Sequence, residues 1–117
     1  MENNPFNSRR LVLVFNPNQI LMGVVGSLHM VTDLTSGNTQ SILFACIGRY
    51  GHSQGLYYRP LNDNVFLKFT DLGSLKLKEY DRMCGEENRK YYPKKEMKET
   101  RRLALKRTHS RWEVRDE

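Results

Sequence analysis

The sequence predicts an α+β fold: a small β-hairpin and a helix-turn-helix core, with further strands and a basic C-terminal helix. Three observations predict it. Two apolar runs, "LVLVF" (Leu11 to Phe15) and "ILMGVV" (Ile20 to Val25), flank Asn16-Pro17-Asn18-Gln19; two short segments of helical periodicity within residues 27–48 meet at Ser36-Gly37-Asn38; and cations crowd the C-terminal end. A chain of 117 residues suffices for one core and is too short for a second independent one.

The hairpin follows from its turn. Pro17 pre-sets its own φ, and Asn16 and Asn18 suit the positions on either side, so the two apolar runs fold back on each other as strands. In "GSLHMVTDL", Ser27 is a candidate N-cap and Leu28, Val31 and Leu34 recur on one face of a short helix. Gly37 accepts the left-handed conformation that ends it. Asn38 or Thr39 then caps a second helix, with Ile42, Leu43, Cys46 and Ile47 as its buried face and Gly48 as its stop. Two short helices around a glycine turn have the order of a helix-turn-helix.

Further along, Leu56-Tyr57-Tyr58-Arg59 has strand composition, and in "NVFLKFTDL" Val65, Leu67 and Phe69 share one face of a second candidate strand. "GSLKLKEYDRMCG" reads as a helix capped by Ser74, with Leu75, Tyr80 and Met83 inward and Gly85 as terminator. From Arg89 to Arg111 there are ten cations against two carboxylates, a balance of +8 within a chain whose net charge is +6. Pro93 fits the first turn of a helix that reaches about Trp112. Its few apolar residues predict a solvated helix, so residues 1–85 are expected to form the α+β domain and 86–117 a basic helical tail.

Several classes are disfavoured. "MENNPFNSRR" lacks the basic-then-apolar order of a secretory signal, and no apolar run approaches the roughly 18 residues of a membrane span, so a cytoplasmic protein without a membrane partner is expected. Cys46 and Cys84 have no paired spacing and read as reduced core thiols; His29, His52 and His109 are scattered, which implies no zinc site and no other cofactor. Without a glycine-rich phosphate loop, a Gly-x-Ser-x-Gly elbow or a clustered His and Asp set, the chain reads as a binding protein, not an enzyme.

Residues Leu11 to Pro60 resemble the nuclease-associated modular DNA-binding domain, a helix-turn-helix module found beside HNH and GIY-YIG homing endonucleases. "LVLVFNPNQILMGVVGSLHMVTDL" is similar to that family's hairpin and first helix, "GNTQSILFACIGRYG" to its polar-started second helix, and "SQGLYYR" to its terminal glycine-aromatic strand. Met30-Val31 replaces the family's usual alanine pair, and the turn "LTSGN" is longer. The resemblance implies a DNA-reading unit without the nuclease.

The chemistry of the residues leads to the same partner. A second helix entering the major groove presents its N-terminal side chains to base edges, and here these are Asn38, Thr39, Gln40 and Ser41. Asn38 and Thr39 are equally suited to capping the helix. Arg49, His52 and Arg59 surround the following turn and could clamp the flanking backbone, while Lys94, Lys95, Lys98, Arg101, Arg102, Lys106 and Arg107 would hold phosphates along the tail. The expected partner is nucleic acid, duplex DNA first, bound by a regulator or accessory factor of bacterial or mobile-element origin. A homodimer is one way to lengthen the site that a single short helix reads. Two other readings stand: a phage-type inhibitor or accessory protein that docks on a protein partner, and an RNA binder whose exposed tyrosines (Tyr50, Tyr57, Tyr58, Tyr91, Tyr92) stack on bases.

Overall fold

The computed structural model describes residues 11–26, 30–31 and 39–115, with side chains of the last helix described as far as Lys106. It is an α+β protein built on a three-stranded antiparallel sheet in the order β2-β1-β3. Central β1 (Val12–Phe15) pairs on one side with β2 (Leu21–Val25) and on the other with β3 (Tyr57–Pro60). Val12 lies opposite both Val25 and Pro60, and Phe15 opposite Leu21 and Tyr57.

The hairpin turn forms as its residues dictate. The side-chain oxygen of Asn16 accepts from the backbone N–H groups of Asn18 (2.9 Å) and Ile20 (3.0 Å), and Gln19 takes a left-handed φ of 67°. A register irregularity between Val14 and Phe15 follows, so Val14 faces Gly23 while Phe15 faces Leu21.

Alternation along β1 explains its unbroken apolar run. Successive side chains point to opposite faces, and both faces are covered. Val12 and Val14 enter one core with Val25, Ile42, Ala45, Cys46 and Tyr58. Leu13 and Phe15 enter the other with Leu21, Tyr57, Leu77, Tyr80 and Met97. The first core is roofed by α1 (Thr39–Ile47), whose buried residues are Ile42, Ala45 and Cys46. The second is roofed by α2 (Leu77–Met83) and α3 (Lys94–Arg115). The result is three layers, with the sheet in the middle.

The end of α1 is fixed by two residues far apart in sequence. Gly48 takes a φ of 92°, and the Arg89 guanidinium donates to the carbonyls of Ala45 (3.2 Å) and Cys46 (2.7 Å), a cation on carbonyls that the helix leaves unpaired.

Four expectations are corrected. The expected strand through Val65, Leu67 and Phe69 is irregular chain followed by a short 3-10 turn, Phe69–Asp71, and Phe66 and Phe69 are 94% and 88% exposed. Alternation needs a neighbouring strand to pair with, and part of the outer edge of β2 is taken instead by residues 73–77: Gly73 N–H donates to Leu21 O, Leu21 N–H to Leu75 O and Leu77 N–H to Gln19 O. Ser74 does not cap α2. Its hydroxyl donates to Thr70 O, and Lys76 stands at the cap position. Met83 is exposed, and Leu77 and Asp81 are buried with Tyr80 instead.

The fourth correction concerns the division near residue 86. Met97 is 1% exposed in the second core, Tyr91 and Tyr92 pack against that core, and Tyr92 N–H donates to the Tyr57 hydroxyl at 2.9 Å. With Arg89 holding α1, the segment from Arg89 through Ala104 belongs to the same packed unit as the sheet. A basic helix with few apolar residues still anchors when those few share one face, as Met97 and Ala104 do, seven residues apart.

The first helix expected from Ser27 through Leu34, and the Ser36-Gly37-Asn38 turn, lie outside the described residues except for Met30 and Val31. Both are helical, and Val31 is buried in the first core. Among the described residues no helix is long and apolar enough to cross a membrane. Cys46 and Cys84 are free thiols, the first buried and the second half-buried.

Candidate nucleic-acid interface

Thr39 opens α1, and the helix places Gln40 in the open with Thr39 and Ser41 half-buried beside it. No acidic residue occupies the first turn, so the positive end of the helix dipole carries no carboxylate from its own first turn. Asn38 lies outside the described residues. The helix is held rigidly behind this end by its apolar face and by Arg89 at its C-terminus.

The turn after α1 divides the expected clamp residues. Arg49 is exposed, and its guanidinium carbon sits 4.8 Å from the centre of the Phe44 ring, which packs edge-on against Tyr50 at 5.2 Å. That contact positions the cation without neutralising it.

His52 is placed differently. It is half-buried and edge-on to Tyr92, and its Nδ1 accepts from the Gly55 N–H at 3.3 Å. Burial holds its pKa below the ordinary imidazole value, against an opposing influence from Glu96. Its Nδ1 thus serves the turn, and burial disfavours the charged form that a phosphate clamp at His52 would use.

Arg59 requires a correction. Its side chain is 2% exposed, with Nε donating to Asp81 Oδ1 at 2.8 Å, Nη2 to Oδ2 at 2.9 Å and Nη1 to the Tyr58 carbonyl at 3.0 Å. Tyr91 donates its hydroxyl to the same Asp81 Oδ2 at 2.6 Å. All three guanidinium nitrogens donate inside the protein and the side chain is buried, so Arg59 ties β3 to α2 and cannot reach a phosphate.

On α3 the cations fall into two groups. Arg101 is half-buried, and its guanidinium lies 3.4 Å from Gln54 O, beside Gly55, where an added Cβ would come within 2.6 Å of the Arg101 backbone. This close approach locks α3 against the turn. Lys94, Lys95, Lys98, Arg102 and Lys106 are exposed; Arg102 pairs with Glu99 at 2.6 Å, and the side chain of Arg107 lies outside the described part.

Sequence reasoning missed Lys76 and Lys78. The alternation "LKLK" signals them: Leu75 and Leu77 point into the second core while the two lysines point out, beside the hairpin turn. Together with Lys94 and Lys98 they line one side of the molecule. Of the five tyrosines that could stack on bases, Tyr57 and Tyr58 are wholly buried and Tyr50 is 47% exposed. Among the described residues no three His, Cys, Asp or Glu side chains gather as a metal site.

No family model matches the chain, and neither the curated proteins nor the solved structures provide a match to it.

Proposed function

We propose that the protein binds duplex DNA, as a small regulator or accessory factor in the cytoplasm of a bacterial or mobile-element system. The observation that carries this reading is the mounting of α1. Its apolar face is sunk in the first core and its C-terminus is held by Arg89, so its polar N-terminal turn, Thr39-Gln40-Ser41, is a rigid presentation at the surface. Gln suits the paired donor and acceptor of adenine, and Thr and Ser suit base edges or phosphate oxygens. A net charge of +6, with Lys94, Lys95, Lys98, Arg102 and Lys106 of α3 exposed, supplies the sequence-independent attraction. The resemblance of residues 11–60 to a DNA-binding module of homing endonucleases agrees with this use of α1. A nine-residue helix reads few base pairs, so a second copy or a partner would complete a longer site.

One observation favours a second reading, an accessory protein that docks on another protein. Phe66 and Phe69 stand almost fully exposed on either side of Lys68, along a shallow apolar groove of about 570 Å³. The RNA reading is weakened by the burial of Tyr57 and Tyr58.

Competition separates the readings. A labelled mixed-sequence duplex bound by the protein is expected to be displaced by unlabelled duplex more readily than by structured RNA of equal length. Preferential displacement by RNA would reverse the assignment, and absence of binding to either would leave the protein-docking reading.

A further inference from the structure

A concavity of about 500 Å³ opens where the hairpin turn, the start of α2 and the first turns of α3 meet. Its charged lining is four lysines and no carboxylate: Lys76 from the cap position of α2, Lys78 from the first turn of α2, and Lys94 and Lys98 from one face of α3. Asn18 and Gln19 of the turn add side-chain amides, and Ile20 is the apolar floor. All four lysines are exposed, and among the described residues none pairs with a carboxylate.

The site is built on hydrogen-bonded backbone. Ile20 and Lys76 form a β-bridge, Leu77 N–H donates to Gln19 O at 2.8 Å, and Gln19 N–H donates to Asn16 O at 2.8 Å. Met97, buried in the second core, fixes the turn of α3 that carries Lys94 and Lys98. The backbone that carries the four lysines is thus held by packed elements, with the Lys78 ammonium 5.2 Å from the centre of the Tyr91 ring, and a bound polyanion would neutralise the four like charges that share the hollow.

Residue type indicates which anion. Every ion pair with a carboxylate among the described residues uses arginine: Arg59 with Asp81, Arg82 with Glu79, Arg89 with Glu86, Arg102 with Glu99. The planar fork matches a planar carboxylate, whereas an ammonium is a point charge that meets a tetrahedral phosphate from any direction. An all-lysine hollow with amide donors at its rim suits successive phosphodiester groups better than an acidic peptide.

We infer that this hollow is a phosphate-binding track for the nucleic-acid backbone, with Lys76, Lys78, Lys94 and Lys98 as the charges and Asn18 and Gln19 as flanking donors. It rests on the nucleic-acid reading and adds to it a second contact surface, carried by the layer of the fold opposite α1. Phosphate contacts of this kind position a protein on its duplex without reading sequence.

The test uses the full chain and a 20-base-pair mixed-sequence duplex, followed by fluorescence anisotropy at several salt concentrations. Replacing all four residues (Lys76→Gln, Lys78→Gln, Lys94→Gln, Lys98→Gln) is expected to lower the log-log salt slope by about 3 to 4, since each phosphate neutralised contributes about 0.9. A pair variant, Lys76→Gln with Lys78→Gln, should lower it by about 2. The control, Lys68→Gln with Lys90→Gln, removes equal charge from exposed positions outside the hollow and should change the slope by less than about 0.5. Equal loss in the pair variant and the control would overturn the track while leaving nucleic-acid binding intact. Absence of duplex binding by the unaltered protein would overturn the reading beneath it, and binding of poly-glutamate alone, lost in the four-lysine variant, would reassign the hollow to an acidic protein.

Discussion

Arg59 and Asp81 face each other across the second core as a two-pronged ion pair, 2.8 Å and 2.9 Å, with both side chains 2% exposed. The pair joins β3 to α2, and Tyr91 adds a third hydrogen bond to the same carboxylate. Removing one partner strands the other charge in a dry site, which costs about 3 to 5 kcal/mol, whereas replacing both with apolar groups is often close to neutral. Asp81→Ala is therefore expected to lower unfolding stability by that amount in urea titrations, and Arg59→Met with Asp81→Leu to restore most of it. The double variant should bind duplex DNA as the unaltered protein does. A loss of affinity at unchanged stability would return Arg59 to the interface.

The basic helix is a structural member as well as a charged one. Met97 is 1% exposed beneath it, so Met97→Ala should cost about 2 to 5 kcal/mol, the usual range for truncating a buried methionine. Urea unfolding followed by both tyrosine fluorescence and helical circular dichroism should show one shared transition shifted to lower urea. An unchanged midpoint, or loss of helix signal ahead of the rest, would mean that the C-terminal segment is an independent tail.

Burial makes Cys46 a poor thiolate. Its pKa is pushed up to about 12 by burial, against the lowering influence of Arg89 and Arg59. The unfolded thiol ionises near 9.0, so the folded protein holds a proton that the unfolded chain releases. The associated stability is complete below about pH 9 and is lost as pH rises toward 12. Tyr91, pushed up to about 12 by burial and by its bond to Asp81, adds a loss that begins near its ordinary value of 10.0. Thermal melts should thus fall steeply above pH 9, and Cys46→Val should flatten the first part of that fall. With a thiol reagent at pH 8, native protein should react only at half-buried Cys84, slowly because burial raises its pKa too, and at both thiols in urea. Prompt reaction of Cys46 in the native state would contradict its placement.

Local signals made the hairpin, β3 and α1 legible. Asn16 and Pro17 specify a turn by their own chemistry, Tyr57 and Tyr58 favour extended chain, and Ile42 with Cys46 marks a helix face. What escaped depends on partners distant in sequence. Arg59 looks like any surface cation until Asp81, 22 residues on, is seen beside it. Strand alternation was the available clue, since it puts Arg59 on the face of Tyr57 and not on that of Tyr58. The segment from Val65 to Phe69 has the alternation of a strand, yet no strand in the described fold pairs with it, and hydrogen bonding by Asn62 and Asp71 makes turns of its ends instead. For the candidate interface, the density of cations on α3 is plain in its sequence, but their grouping with Lys76 and Lys78 depends on how α3 docks, which the sequence of α3 does not state.

Salt dependence of binding to mixed-sequence duplex DNA tests the central claim most directly. With about five phosphates neutralised, log affinity should fall with log salt at a slope near 4 to 5, a loss of roughly two to three orders of magnitude between 50 and 200 mM. A slope near zero, or no binding at the lowest salt, would contradict a protein that holds DNA through Arg49, the exposed cations of α3 and the lysines beside the hairpin.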